Sequence, residues 1–207
     1  MLEVGCGPAE MWRRVGLARL DPTVSLTLND FSPGMIDAAR AVVGDRADYV
    51  LADVQELPFG DASFDVLIAN HMLYHVPDRP RAFAEFARVL VPDGVLYAAT
   101  NGRGHLQELQ ALLPDWEFSF HMEEFGLETG PEQLAPFFTA ISVERLDYHL
   151  DVTEVEPVVA YIRSSNTYRG QDLGPARGTV EAALARDGVF RVQTHPGVIS
   201  ARARTLT

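Results

Sequence analysis

The feature that most constrains this chain is a change of texture, repeated along the first 101 residues, from a short β-branched or leucine-rich run to a longer stretch with helical spacing. Strands alternating with crossover helices have this texture, and they build a parallel sheet with helices on both faces. Leu2 to Val4 is the first expected strand, Ala9 to Leu20 a helix, Val24 to Leu28 a strand, and Pro33 to Val43 a helix with Ser32 as its cap and Pro at its first position. Asp48 to Leu51 is a short strand and Phe64 to Ala69 a buried one. From Arg79 to Leu90, the spacing of Phe83, Phe86, Ala87 and Leu90 predicts an amphipathic helix, stopped by Pro92, Asp93 and Gly94 before a strand from Val95 to Thr100. Right-handed crossovers then give an open, doubly wound α/β sheet, which binds ligands at the carboxyl ends of its strands.

Beyond residue 101 the pattern loosens. His105 to Leu113 has helical spacing, Pro114 to Gly130 is irregular and rich in aromatics, and Glu132 to Phe138 predicts a short helix. Ile141 to Val152 alternates as a strand does. A helix from Val155 to Ser164, a connection over 165–178, a helix to about Arg186 and a pair of strands around Val189 to Arg204 complete the chain. At 207 residues, against roughly 150 per domain, and with no clean boundary, residues 1–207 are expected to form one domain. Its halves are 1–101 and 102–207.

Charge narrows the partners. Seventeen basic against 29 acidic residues leave a net −12, the wrong sign for affinity gained by neutralising phosphates, so nucleic acid is a poor partner. The one cysteine, Cys6, cannot form an intrachain disulfide, and the start MLEVGCGPAE lacks the basic and apolar regions of a secretory signal. A cytoplasmic location is the expectation. No apolar run reaches the roughly 18 residues that suggest a membrane span.

The first strand runs into Gly5-Cys6-Gly7-Pro8-Ala9. Two glycines two apart let backbone approach a ligand and leave helix N-terminal N–H groups facing it. A dinucleotide fingerprint would place a third glycine at position 10, where this chain has Glu10, a carboxylate facing a pyrophosphate of like charge. That argues against a nicotinamide cofactor. Glu3, two residues before the first glycine, instead suits a ligand carrying positive charge, and S-adenosylmethionine has an ammonium, a sulfonium and no phosphate. Asp30, 23 residues after Gly7, has the spacing of an acid that accepts from ribose hydroxyls, and Asp53, followed by Val54, is placed to accept from an adenine amino group.

With these segments in order, LEVGCGPA, LNDFSPGMIDAAR, VLADVQELPFGDASFDVLIANHMLYHVPD and ARVLVPDGVLYAATN, the chain resembles the class I S-adenosylmethionine-dependent methyltransferases, in the branch of the quinone-biosynthesis enzymes. The resemblance covers about residues 1–101. It implies a Rossmann-like sheet of seven mostly parallel strands with an antiparallel strand near the end. It also implies that Glu3, Gly5 and Gly7 shape the methionine end of the site, Asp30 holds the ribose, Asp53 and Val54 meet the adenine, Phe31 and Met35 wall the base, and Asn70 lies near the methionine moiety. Ala9 stands where the family often has a third glycine. Relatives also carry a helix ahead of the first strand, in which Met1 almost begins. Weaker cofactor binding than in a full-length relative is the expectation that follows.

The implied reaction is transfer of the sulfonium methyl to an oxygen, nitrogen or carbon atom of a small-molecule acceptor. Binding of S-adenosylmethionine or S-adenosylhomocysteine without turnover is the alternative. Tyr74 and His75 are expected to wall the acceptor pocket, and His75 is the candidate base. A hydrogen-bonded structural histidine is the competing reading. Trp116 and His121, within an aromatic stretch that also includes Phe118, Phe120, Met122 and Phe125, either line that pocket or belong to the core. His71 and His75 have the i, i+4 spacing of a metal pair, but no third ligand lies nearby in sequence and Pro77 interrupts the segment, so no metal is expected.

Overall fold

A computed structural model describes residues 1–113, 123–164, 168 and 170–204. A seven-stranded sheet has the order β3-β2-β1-β4-β5-β9-β6. Its strands are β1 (Leu2–Val4), β2 (Thr27–Asp30), β3 (Asp48–Leu51), β4 (Phe64–Asn70), β5 (Leu90–Asn101), β6 (Phe138–Arg145) and β9 (Pro196–Ala203). The first five pair in parallel, while β9 runs antiparallel between β5 and β6. A separate ribbon joins β7 (Tyr148–Val152) to β8 (Phe190–Thr194).

Helices α1 (Glu10–Val15), α2 (Pro33–Val43) and α3 (Arg79–Val89) are the crossovers, followed by α4 (Gln107–Gln110), α5 (Gly130–Leu134), α6 (Val155–Ser164) and α7 (Gly174–Asp187). Alternate strand residues turn to the α3 side of the sheet: Leu67 and Ala69 of β4, Leu96 and Ala98 of β5, and Ile199 and Ala201 of β9 meet Phe83, Phe86, Phe125 and Leu134 there. A second core joins α1 and α2 to β2 through Trp12, Leu26, Leu28, Ile36 and Val43. A third gathers α4, α6, α7 and β8 around Leu109, Val159, Ile162, Val180 and Val192.

Departures from the sequence reading have local causes. The helix expected over Ala9 to Leu20 stops at Val15, because Gly16 takes a positive φ of 80° and donates its N–H to Trp12 O; a 3-10 turn, Leu17–Arg19, follows. The second strand begins at Thr27 rather than Val24, since Asp21 folds the chain back by accepting from Thr23 and Val24. Ser32 stands at the start of α2 but caps with its carbonyl rather than its side chain. The expected strand from Ile141 to Val152 is two strands that change partner, β6 pairing with β9 and β7 with β8. The helix expected over Glu132 to Phe138 lies earlier, at Gly130–Leu134, and α7 begins at Gly174. Part of the irregular stretch from Pro114 to Gly130, residues 114–122, lies outside the described residues.

Phe83 is the hub of the main core, 1% exposed, with its ring 6.3 Å from Phe86, 6.0 Å from Phe125 and 5.9 Å from Phe137. Truncating it opens a cavity that helices on a packed sheet cannot close. Phe83→Ala is expected to lower unfolding free energy by about 3–5 kcal/mol in urea titration; a loss under about 1 kcal/mol would mean that α3 repacks on the sheet.

Candidate functional site

The site is built where β1, β2, β3 and β4 end. After Val4 the chain passes through Gly5 at φ 59° and Gly7 at φ 53°, a region open to glycine at little cost. Gly5 has a second reason to lack a side chain: a Cβ there would lie 2.8 Å from Met72 Cγ. Nothing lies within 4 Å of a Cβ built on Gly7. Ala9, buried, also holds a left-handed conformation at φ 57°, so the position where relatives often have glycine asks for backbone freedom as well as close packing.

Asp30 fastens this loop to the neighbouring strand tip. Its Oδ2 accepts from Gly7 N at 3.0 Å and its Oδ1 from Ser32 N at 2.9 Å, and the residue is 6% exposed. Each oxygen keeps a further acceptor site. The carboxylate lines a cleft of about 790 Å³ together with Gly5, Gly7, Asp53, Val54 and His75. Phe31 and Met35 stand on the same cleft, 80% and 42% exposed, as an apolar wall with nothing packed on it. Asp53, past the end of β3, accepts from Gln55 N at 2.9 Å and from its side-chain amide at 2.8 Å.

Glu3 and Asn70 sit elsewhere. Glu3 is buried at 3% exposure, taking Trp12 Nε1–H at 2.5 Å and a long 3.4 Å bond from Asn70 Nδ2, which also faces Met11 Sδ. They are not among the residues lining the cleft. Burial pushes Glu3 up to about 7, against the two hydrogen bonds, and the Cys6 thiol up to about 12, helped by the negative charges of Glu3 and Asp30. Glu10 is spent on Arg13 and Arg14.

Tyr74 is half-buried with its ring 4.5 Å from that of His75, and desolvation raises its phenol, with Tyr161 of α6 adding to the rise. Trp116 and His121 lie outside the described residues. Sequence reasoning missed Met72, Gln55 and Trp12, and took His71 only as half of a metal pair. His71 lines the cleft, and its place two residues past the fourth expected strand was a signal for it. Among the described residues no group of three or more His, Cys, Asp or Glu side chains is arranged to hold a metal, and no helix is long and apolar enough to cross a membrane. A second concavity of about 810 Å³ on α7 and β8 is shallower in chemistry, since Arg186 pairs with Asp187 and Arg191 with Asp151.

A sequence family described as a methyltransferase domain matches residues 2–98. A malonyl-[acyl-carrier protein] O-methyltransferase of Yersinia pestis is 31% identical over 210 residues, spanning 95% of this chain and 72% of that protein. The chain belongs to the class I S-adenosylmethionine-dependent methyltransferases. The corresponding enzyme of Serratia marcescens is 35% identical over 112 residues, 53% of this chain and only 41% of that protein. In fold, the chain superposes with a TM-score of 0.60 on phosphoethanolamine N-methyltransferase 2 of Haemonchus contortus, solved with S-adenosylhomocysteine, at 20% identity, covering 99% of this chain and 48% of that one.

The buried carboxyl of Glu3 makes stability depend on pH in a definite direction. With an ordinary value of 4.5 raised to about 7, the folded chain holds a proton that the unfolded chain releases, so stability falls as pH rises from about 4.5 through about 7 and levels off above. Glu3→Gln is expected to flatten this fall and to be the more stable form near pH 8, by on the order of 2 kcal/mol. Denaturant midpoints across pH measure it; a variant whose profile runs parallel to that of the unaltered chain would refute the assignment.

Proposed function

We propose that the chain binds S-adenosylmethionine in the cleft below the glycine loop and passes its methyl group to an oxygen, nitrogen or carbon atom of a small-molecule acceptor. The observation that carries this reading is the Asp30 carboxylate, aimed by two backbone N–H groups and still able to accept from a ribose diol. The apolar wall of Phe31 and Met35 suits the face of a purine, and Asp53 with Val54 suits its edge. The acidic residues around the cleft suit a cationic ligand better than a pyrophosphate. When bound, the sulfonium supplies an already activated methyl, so holding an acceptor in line and excluding water can provide most of the acceleration.

The acceptor is argued from charge and kinship. A net charge of −12 disfavours nucleic acid, and relatives named for acyl-carrier-protein and rifamycin methylation differ among themselves in acceptor. A small metabolite or a group carried on a small scaffold is the class that fits both. Cytoplasmic residence accords with a single buried cysteine.

Calorimetric titration with S-adenosylhomocysteine, with NAD as control, tests the cofactor reading without knowledge of the acceptor. Binding of S-adenosylhomocysteine alone is expected. Asp30→Ala, which removes hydrogen bonds to the ligand, should weaken it by about 1–3 kcal/mol, or roughly 5- to 150-fold. Because Asp30 also fastens the loop, Phe31→Ala is the cleaner probe: it should lower affinity several-fold while leaving stability within about 0.5 kcal/mol. Unchanged affinity in both variants would move the cofactor elsewhere. Transfer of labelled methyl to any member of an acceptor panel would exclude binding without turnover.

A further inference from the structure

We propose that His71, rather than His75, is the general base of this site, standing beside the transferring methyl and taking the proton that the acceptor gives up. The proposal rests on the cofactor reading above.

His71 follows Asn70 at the tip of β4 and is held in the left-handed region, at φ 50°, by its N–H donating to Ala99 O of β5 at 2.9 Å. A residue with a side chain occupies that region at a cost of about 1 kcal/mol or more, and such outliers concentrate at functional sites. The turn places the ring on the cleft that holds Gly5, Gly7 and Asp30. It lies one residue beyond Asn70, whose amide reaches Glu3 on β1.

The histidines around it are committed. His105 Nδ1 accepts the backbone N–H of His195 at 2.9 Å, and His195 Nδ1 lies 2.9 Å from Asp147 Oδ1. His75 has its ring against Tyr74. Among the described residues the His71 ring has no hydrogen-bond partner, and it lines the cleft. Desolvation holds His71 below its ordinary value, which favours the uncharged imidazole that can accept a proton. His105 is pushed down to about 4 by burial and by His71 and His195, so it does not compete for a proton. The other titratable groups on the cleft are Asp30, Asp53 and His75.

The step balances. A lone pair on the acceptor oxygen or nitrogen forms a bond to the methyl carbon as the carbon–sulfur bond breaks. Sulfur keeps that pair and becomes a neutral thioether, and the acceptor's proton goes to an imidazole nitrogen of His71. One positive charge enters the step on sulfur and one leaves it on His71. The two charges exclude each other, which makes the base recognisable without an acceptor: a bound sulfonium must depress His71 titration, and the neutral thioether must not.

The test is NMR titration of the full chain labelled at histidine Cε1, alone, with S-adenosylhomocysteine and with S-adenosylmethionine. His71→Asn and His75→Gln assign the two resonances; Asn tolerates a positive φ, so the first keeps the strand tip. The expected result is a His71 midpoint at least one pH unit lower with S-adenosylmethionine than with S-adenosylhomocysteine, a tenfold change in proton affinity, and a smaller shift for His75. Equal His71 midpoints with both ligands, or the larger shift at His75, would overturn the proposal while leaving the cofactor reading intact. Absence of S-adenosylhomocysteine binding in calorimetry would overturn both.

Discussion

The carboxylate of Asp30 is the contact on which the site depends. It joins two segments that the sheet alone leaves independent, the glycine loop after β1 and the start of α2 after β2, by accepting one backbone N–H from each. Those N–H groups, partly buried in strand-to-helix turns, would otherwise lack a partner in the protein. A single side chain thus closes the local hydrogen bonding, fixes the spacing of two strand tips and presents its remaining lone pairs to the cleft. Asn29, the residue before it, does similar work on the other side, donating to Val50 O and Ala52 O and so fixing the approach to Asp53. This edge of the sheet is a row of strand tips tied together by their own polar side chains.

Electrostatics of the loop follow from burial. Glu3, Asp30 and Cys6 are all largely removed from water, and the two acids raise the Cys6 thiol. Such a grouping is strained by its own negative charge unless a proton or a cation is present. A proton on Glu3 is one answer and a cationic ligand is another. Glu3 stands behind the loop rather than on the cleft, bonded to Trp12 and Asn70, so its burial acts on the loop's stability and on the Cys6 thiol. Glu10, which the sequence suggested would repel a pyrophosphate, is turned to Arg13 and Arg14 instead.

What the sequence made legible divides at about residue 101. In the first half each strand and helix carries its own period, and the bounds of α2 and β3 agree with the residues that bear it. Failures there were turns: Gly16 ended a helix whose hydrophobic spacing continued, and Asp21 delayed a strand whose β-branched residues had begun. In the second half partners are distant in sequence. The alternation over Ile141 to Val152 is real, but it cannot say that one stretch pairs with β9 and the next with β8, because that choice depends on where residues fifty positions later fold back. At the site, spacing located the glycines and acids of the cleft. It could not separate acids that line it from acids that support it, nor see that a left-handed turn at His71 would bring that ring onto the cleft.

The division has a functional logic. The family match ends at residue 98, within β5, and the first relatives align over little more than half of this chain. The glycine loop and the tips of β1 to β4 lie within that match. Beyond it, the β6–β9 hairpin carries an arm, β7, α6, α7 and β8, with a hydrophobic core of its own. That arm reaches back: Tyr161 of α6 perturbs Tyr74 at the tip of β4, and His195, just ahead of β9, holds His105 close enough to His71 to share its electrostatics. A core separate from the sheet lets the arm change sequence without disturbing the strand tips.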